Sequence, residues 1–312
     1  MSTPYIVPSV LNDAPTGCAW TIIPEPGASD AATAAEQLNI CIRATSIVDT
    51  FCNQVLRATV DNEPLTGPGA PRVGIEPGSG NGLLCMRRWP VIDVLAIQIA
   101  QNKTWPRVWA PVPAGLYEPQ SPLINQLADA AAATAPDGGS MIVVAPQYIN
   151  WDFGRNSQRI MVSYTNGWPH TSLTVAATGG ASIIDVDDVT GWAGASGFAY
   201  DGSDTESVSV LSVEANSPVA LPNGVGTAQS GPGTLTLSAP LGFGHAAGVL
   251  VSALPANVMQ ATILVAAAQA LESGIESITI QAMPGTQVSS AQGSAGLVAT
   301  YKDFLQPYRR IV

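Results

Sequence analysis

The feature that most constrains the fold is the change of pattern at residues 173–253. Short runs that alternate apolar and polar residues recur there, at residues 182–186, 198–200, 207–213, 233–237 and 248–252. Gly, Asp, Asn and Pro separate these runs, and the stretch contains no Lys or Arg. Regularly spaced short strands between turn residues are typical of a small all-β barrel or sandwich. We therefore predict an inserted all-β domain over residues 173–253.

Helical patterns flank this stretch on both sides. Residues 29–58 predict a helix with Asp30 as its N-cap. One apolar stripe then recurs at helical spacing: Leu38, Cys41, Thr45, Val48, Cys52 and Val55. This stripe predicts that Cys41 and Cys52 face the core as small apolar side chains, with no metal or redox role. A second helix is predicted after Pro255, and its small residues allow another helix to approach closely.

Strand patterns lie between the first helix and the inserted stretch. Residues 91–99, 142–145 and 159–164 are rich in β-branched residues and predict strands. The last of these runs leads into an Asn166-Gly167 turn. Residues 63–82 are rich in Gly and Pro and predict a loop.

The charge balance bears on the class of partner. The chain has 12 basic and 23 acidic residues, a net charge of −11, and only 11% of its residues are charged. This argues against a protein that grips nucleic acid, because that affinity comes mainly from Lys and Arg on phosphates. An acidic wall would instead repel DNA that slides past it. The beginning of the chain shows no signal pattern, and the run from Ile263 to Leu271 is too short to span a bilayer, so a reduced, cytosolic protein is expected.

Catalytic patterns are sparse. No P-loop, Gly-x-Ser-x-Gly elbow or His-Glu-x-x-His motif occurs, and the chain has only two histidines. Acidic residues gather in two predicted turns, and the second turn holds Asp201, Asp204 and Glu206. These three are weak candidates for a metal site or a hydrolase, but structural turns are the favoured interpretation. We predict no enzyme activity, no cofactor and no metal.

The order of the segments resembles the head-to-tail adaptors of siphovirus-like tailed bacteriophages. The matching segments are residues 88–99, beginning Arg-Trp-Pro-Val-Ile, residues 160–169, ending Tyr-Thr-Asn-Gly-Trp-Pro, and the Ala-rich helix from Pro255 to Leu271. In that family the second segment leads almost directly into the third. Here the inserted stretch separates them.

The resemblance implies an α+β fold, with a helical adaptor core that contains a small β-sheet, plus the inserted all-β barrel or sandwich-like domain. The division it implies is an N-terminal extension (1–28), an adaptor core (29–172 and 254–293), the inserted domain (173–253) and a C-terminal arm (294–312). It also implies a homododecameric ring in the virion neck, assembled in the bacterial cytoplasm. The portal protein would lie on one side and a stopper or tail-terminator protein on the other. Genome DNA would pass through the channel without specific binding, and no membrane would be involved.

Residues of the C-terminal arm are the predicted contact with the portal. A short helix at residues 297–305 is followed by a basic end, and the aromatic, apolar and basic side chains suited to docking are Tyr301, Phe304, Leu305, Tyr308, Arg309 and Arg310. The alternative is that this arm folds back on its own core. For the whole chain, the alternative function is a virion decoration or host-surface-binding β-rich protein.

Overall fold

The computed structural model describes residues 3–14, 16, 18, 20, 27–66, 73–75, 80–100, 107–119, 141–145, 147, 159–272 and 290–310. The α-helices of this part of the chain are α1 (Pro8–Asp13), α2 (Asp30–Cys52), α3 (Ala256–Glu272) and α4 (Ser290–Leu305). The strands before the inserted stretch are β1 (Thr59–Thr66), β2 (Val73–Ile75), β3 (Gly82–Cys85), β4 (Val91–Ala100), β5 (Trp109–Pro111), β6 (Tyr117–Pro119), β7 (Met141–Val144) and β8 (Arg159–Asn166). The strands that follow are β9 (His170–Ser172), β10 (Ile183–Val186), β11 (Ser196–Tyr200), β12 (Glu206–Ala215), β13 (Val219–Ala220), β14 (Thr227–Ala228), β15 (Gly233–Leu237) and β16 (Leu250–Ser252).

These strands form four antiparallel sheets. The first has the order β1-β8-β4-β5, and the second has the order β2-β3-β7-β6. The third has six strands in the order β10-β15-β12-β11-β16-β9, and β13 pairs with β14 as a separate hairpin. The hairpin contacts the first sheet: Asn223 Nδ2, between β13 and β14, donates to Gln98 Oε1 of β4 at 2.8 Å.

The predicted fold class, a helical adaptor core with a small sheet, is wrong. The protein is mostly β, with 36% strand against 30% helix, and its described residues contain four sheets and only four α-helices. Two of the four sheets come from the part of the chain that was expected to be mainly helical. The helices are one layer of a protein in which β-structure predominates.

Strand β1 shows why the sequence pattern misled. Its residues read Thr-Val-Asp-Asn-Glu-Pro-Leu-Thr, without clean apolar alternation, and about half of them lie in the segment predicted as a loop. All eight residues pair with the buried strand β8, from Thr59 opposite Asn166 to Thr66 opposite Arg159. Because β1 is an edge strand, Pro64 costs no hydrogen bond within the sheet. Pairing with a neighbour therefore determines this strand, and a single-segment pattern does not reveal it.

Helix α2 was predicted more accurately. Its N-cap is Ser29, one residue before the predicted Asp30, and the Ser29 side chain accepts from the Ala32 N–H at 3.3 Å. The helix ends at Cys52 because Asn53 adopts a left-handed conformation, with φ of 55°. Cys41 and Cys52 are buried as predicted, whereas Leu38 is 39% exposed.

None of the four cysteines forms a disulfide bond. Burial raises the pKa of both Cys41 and Cys52 to about 12, with Asp49 adding to the effect at Cys52. At neutral pH both thiols therefore stay protonated, which suits a packing role and does not suit metal ligation.

The six-stranded sheet curls into a half-barrel. At its open side an isolated bridge joins Leu173, just after edge strand β9, to Val186 of the other edge strand, β10. Two backbone hydrogen bonds of 3.0 Å accompany the bridge, Thr174 N to Asp185 O and Asp187 N to Ser172 O. Fully buried Trp192 is the largest side chain in its interior. We call residues 170–252 the barrel; its independence as a domain stays a prediction.

The helices form a separate core with the N-terminal segment. Tyr5 and Ile6 are fully buried there, together with residues of α2, α3 and the end of α4. Residues 3–7 are therefore part of the core and do not extend away from it. In the described part of the chain, no helix combines the length and the apolar character needed to cross a membrane.

Candidate functional site

The C-terminal arm folds back over the helical core. Helix α4 packs along α3, and a 3-10 turn (Gln306–Tyr308) follows it directly. The last helical residue, Leu305, is fully buried in the core that also contains Cys52 and Leu56. The arm is thus anchored by an apolar side chain at the point where the helix ends.

Three aromatic rings join the arm to the rest of the chain, and we call Trp89, Trp168 and Tyr308 the aromatic cluster. The Tyr308 ring stacks on Trp89 with centroids 6.4 Å apart and an interplanar angle of 10°. It meets Trp168 edge-on at 5.6 Å, and the two indoles meet at 5.7 Å and 72°. Offset stacking and edge-to-face contacts of this kind add stability beyond the buried area alone. Burial, with a smaller effect of Cys52, raises the pKa of Tyr308.

Hydrogen bonds attach the same turn to the end of α2. Gln54 Nε2 donates to the Tyr308 carbonyl at 3.1 Å, and the Arg310 N–H donates to the Cys52 carbonyl at 2.9 Å. The Cys52 carbonyl belongs to the last turn of α2, where carbonyls lack partners within the helix. The arm therefore caps α2 as well as covering it.

The six predicted docking residues differ in burial in this arrangement. Leu305 is fully buried, whereas Tyr301, Phe304 and Tyr308 are half-buried and pack against the same core, as the alternative interpretation of the arm expected. Arg310 is half-buried, and Arg309 is exposed. The Arg309 guanidinium lies 5.6 Å from the centroid of the Phe51 ring. A portal-docking role for these residues stays a prediction.

A tight turn at Gly167 brings Trp168 into the aromatic cluster. Gly167 has φ of +90°, and a Cβ added there would lie 2.5 Å from the Arg57 carbonyl oxygen. The Gly167 N–H donates to the Pro90 carbonyl at 2.9 Å, and the Trp168 N–H donates to the Leu56 carbonyl at 2.9 Å. Only glycine has both the conformation and the space that this close backbone approach requires. The Asn-Gly-Trp-Pro segment thus has a structural reason for its glycine.

The barrel begins and ends at adjacent points of the chain. The Ala253 N–H donates to the Pro169 carbonyl at 2.8 Å, and Ser252 of β16 is opposite His170 of β9. Helix α3 begins at Ala256, immediately after this contact. The chain therefore leaves the helical and sheet core at Pro169 and returns to it at Ala253.

His170 fixes this junction to the N-terminal segment. Its Nε2 lies 2.8 Å from the Pro4 carbonyl, which only accepts, so Nε2 carries the proton and Nδ1 accepts from Ser252 Oγ at 2.8 Å. Burial lowers the pKa of His170 to about 4, so the ring is neutral at physiological pH. Nearby, Thr3 Oγ1 donates to Asp187 Oδ2 at 3.0 Å. Residues 3–5 thus connect the barrel to the core.

Tyr5 continues this connection toward α2. Its hydroxyl donates to the Asp49 carboxylate and accepts from the Leu56 N–H at 2.7 Å. Burial raises the pKa of Tyr5 well above its usual value, with the Asp49 charge adding to the effect. The pKa of Asp49 is also raised by its own burial. Sequence patterns did not single out His170, Tyr5 or Asp49, because their partners are distant in the chain.

The acidic turn at residues 201–206 binds a histidine. His245 is fully buried, with Nδ1 3.0 Å from Asp201 Oδ2 and Nε2 2.9 Å from Glu206 Oε1. Both carboxylates are acceptors, so this arrangement favours the doubly protonated cation of the ring. Burial alone would lower the pKa of His245, but the hydrogen bonds and charges of the two carboxylates raise it overall.

Glu206 is held by the backbone as well as by His245. The N–H groups of Gly242 and Phe243 donate to its two oxygens at 2.8 and 3.0 Å. Burial would raise its pKa, but these two donors and then His245 lower it. Asp204, the third predicted metal candidate, is exposed and accepts only from Ser203 Oγ, at 3.3 Å. Within the described residues no cluster of His, Cys, Asp and Glu has a geometry suited to a metal ion.

No protein-family model, curated protein or solved structure matches this chain significantly.

Proposed function

We propose that this chain is a structural subunit of a ring that joins a viral portal to a tail or stopper protein and surrounds the DNA channel. The observation that carries the proposal is the adjacency of Pro169 and Ala253, which hydrogen bond at 2.8 Å. Without the barrel, strand β8 would lead through the Gly167 turn directly into α3. That is the segment order of the adaptors that the sequence resembles.

The Gly167 turn strengthens this argument, because the resemblance depends partly on the Tyr-Thr-Asn-Gly-Trp-Pro segment. Gly167 and Trp168 hydrogen bond to Pro90 and Leu56, so this segment meets residues 88–99 of the resemblance in space. Two of the three segments that resemble the family are thus in contact with each other.

The outer surface of the C-terminal arm is the proposed contact with the portal. Lys302 and Arg309 are exposed, and Phe304 and Tyr301 are partly exposed beside them. Arg and aromatic side chains are favoured at the centres of protein interfaces. Leu305 and Tyr308 would hold the arm in position and would not themselves touch the portal.

The acidic character of the chain fits a channel that DNA crosses without binding. The chain as a whole carries 23 acidic residues against 12 basic ones, so it offers few cations for phosphates to bind. We place the barrel on the outside of the ring, because an inserted unit of this size would obstruct the channel. A density map in which the barrel lines the channel would overturn this placement.

Binding to the portal protein from the same source tests the proposal. The full chain is incubated with assembled portal, and co-sedimentation is measured for the wild type and for the double variant Lys302→Glu/Arg309→Glu. This variant keeps Leu305 and Tyr308, which hold the arm on the core, and it removes the contact of the Arg309 guanidinium with the Phe51 ring. We expect the wild type to bind and the variant to lose binding.

Arg43→Glu provides the matched control, because Arg43 is an exposed cation on α2 whose only ion pair among the described residues is with Glu36. It should bind the portal as the wild type does. If the wild type fails to bind, the adaptor function is wrong. If the double variant binds normally, the function stands but the arm is not the docking surface.

A groove on the barrel favours a second candidate function, the recognition of a host surface. It has a volume of about 290 Å³, and four serine hydroxyls line it, from Ser196, Ser207, Ser209 and Ser238. Phe198, on the same strand as Ser196, is exposed beside it. Hydroxyl groups next to an aromatic ring suit a neutral sugar. Binding of the full chain to host cell-wall glycan, lost in Phe198→Ala, would support this candidate; equal binding by both would reject it.

A further inference from the structure

All 12 basic residues of this chain lie outside the barrel. The barrel contains seven acidic residues and no Lys or Arg; the acidic residues are Asp185, Asp187, Asp188, Asp201, Asp204, Glu206 and Glu214. Asp187, Asp188, Asp201 and Glu206 are bound by neighbouring side chains or backbone groups. Asp185 and Glu214 are exposed, and neither carboxylate has a hydrogen bond or ion pair with any described residue.

These two carboxylates lie on the same exposed face of the six-stranded sheet. Strand β15 lies between β10 and β12, and its Thr234 is opposite both Asp185 and Glu214. Strands are about 4.8 Å apart, so the two acidic residues are roughly 10 Å apart on either side of Thr234. The face thus presents two carboxylates with only a threonine between them.

The next row of the same face is apolar. Thr236 is opposite both Ile183 and Ser212, and the strand bulges between Val210 and Ser212. Ile183 is 59% exposed, and Leu211, in the bulge, is 69% exposed. We call Ile183, Asp185, Leu211 and Glu214 the acidic face. Exposed apolar side chains beside unpaired charges are typical of a surface that another protein covers.

One end of the first sheet has the opposite charge. Ile160 is opposite Ile99 and Ala100 is opposite Trp109, so Arg159 and Trp109 lie at the same end of the sheet, with Arg107 and Val108 just beyond. Val108 is 55% exposed, and Arg159 is exposed. We call Arg107, Val108 and Arg159 the basic sheet end.

The acidic face and the basic sheet end are therefore complementary in charge, and each also exposes at least one apolar side chain.

We propose that the acidic face of one copy of this chain docks on the basic sheet end of a second copy. The contact joins different surfaces of two identical chains, so one copy of the pair keeps a free basic sheet end and the other keeps a free acidic face. Head-to-tail contacts of this type generate closed rings or open filaments. The inference rests on the proposed ring function and assigns the barrel a role in it, as a connection between neighbouring subunits.

Two complementary variants test this contact. Variant A carries Asp185→Lys and Glu214→Lys, and variant B carries Arg107→Glu and Arg159→Glu. In either variant alone, both docking surfaces have the same sign of charge. In a one-to-one mixture, each surface of A meets an oppositely charged surface of B. Self-association is measured by sedimentation velocity and native mass spectrometry, with circular dichroism to verify folding.

We expect wild-type self-association that weakens as ionic strength rises from about 0.01 M to 0.15 M, since the Debye length falls from roughly 30 Å to 8 Å. Variants A and B alone should associate at least about tenfold more weakly than the wild type. The mixture of A and B should recover the association. The control Asp204→Lys/Asp303→Lys, which reverses two exposed carboxylates outside the acidic face, should associate as the wild type does.

The outcomes separate this contact from the ring function. If variant A associates as strongly as the wild type, or the mixture fails to recover, the proposed contact is wrong even if the wild type binds the portal. A wild type that stays monomeric at low ionic strength also overturns the contact. If the wild type self-associates as expected but never binds the portal, the proposed contact is supported and the proposed adaptor function is wrong.

Discussion

Replacement of Leu305 by alanine tests whether the arm is packed on the core in solution. Leu305 is fully buried at the end of α4. The change removes three buried carbons, which at about 0.8 kcal/mol each gives about 2.4 kcal/mol of lost burial. The cavity left behind adds to this, and fully buried Leu→Ala changes cost about 2–5 kcal/mol in total. We therefore expect the free energy of unfolding to fall by about 3 kcal/mol.

Urea unfolding followed by tryptophan fluorescence measures this loss, and Trp89 and Trp168 lie against the arm as reporters. Lys302→Ala is the control, because Lys302 is an exposed residue of the same helix. It should change the free energy of unfolding by no more than about 0.5 kcal/mol. If Leu305→Ala costs as little as Lys302→Ala, the arm does not pack on the core, and our assignment of its outer surface fails with it.

Three further changes test other parts of the structure. The pKa of His245 is raised in the folded protein, so its ion pairs stabilise the barrel fully below the unfolded pKa of about 6.5. This stabilisation is lost as pH rises through the folded pKa. The free energy of unfolding in urea should therefore decline above about pH 6.5 in the wild type, and His245→Gln should lack this decline. An identical pH profile for both proteins would show that the ring is not held as a cation. Gly167→Ala should lower the free energy of unfolding by at least about 1–3 kcal/mol, because the new Cβ meets the Arg57 carbonyl at a left-handed position; a calorimetric melting temperature equal to the wild type's would contradict this. Tyr5→Phe removes the hydroxyl that donates to buried Asp49, and it leaves the Leu56 N–H with only its longer bond of 3.4 Å to Asp49 Oδ1, so it should cost about 1–3 kcal/mol in chemical denaturation. A neutral effect would mean that water replaces the hydroxyl.

The sequence predicted the elements whose own residues determine them. Strands β4 and β8 lie close to their predicted positions, since each has a continuous apolar pattern. Helix α2 begins where predicted but ends at Cys52, six residues before the predicted end at Ala58, so Val55 of the predicted stripe lies outside it. The strands of the barrel also coincide largely with the predicted runs, because turn residues separate them clearly. Strand β1 was missed because its conformation depends on pairing with β8. Local pattern thus sufficed where burial is local and failed where a partner strand supplies the stability.

The candidate site was less predictable for a related reason. Leu305 and Tyr308 have the residue types of an interface anchor, but the same types fill cores, and only the position of Trp89 and Trp168 decides between the two. His245 lies about forty residues from its carboxylate partners in the chain, and no spacing rule connects them. The fold brings such groups together, so their roles follow from the three-dimensional structure.

Cryo-electron microscopy of this chain mixed with the portal protein from the same source tests the proposed function most directly. We predict a closed ring of density seated on the portal and coaxial with its channel, with α4 at the contact and the barrel outside the channel. A portal that stays bare at saturating concentrations of the folded chain would contradict the adaptor function. The remaining candidate function would then be surface recognition by the serine-lined groove of the barrel.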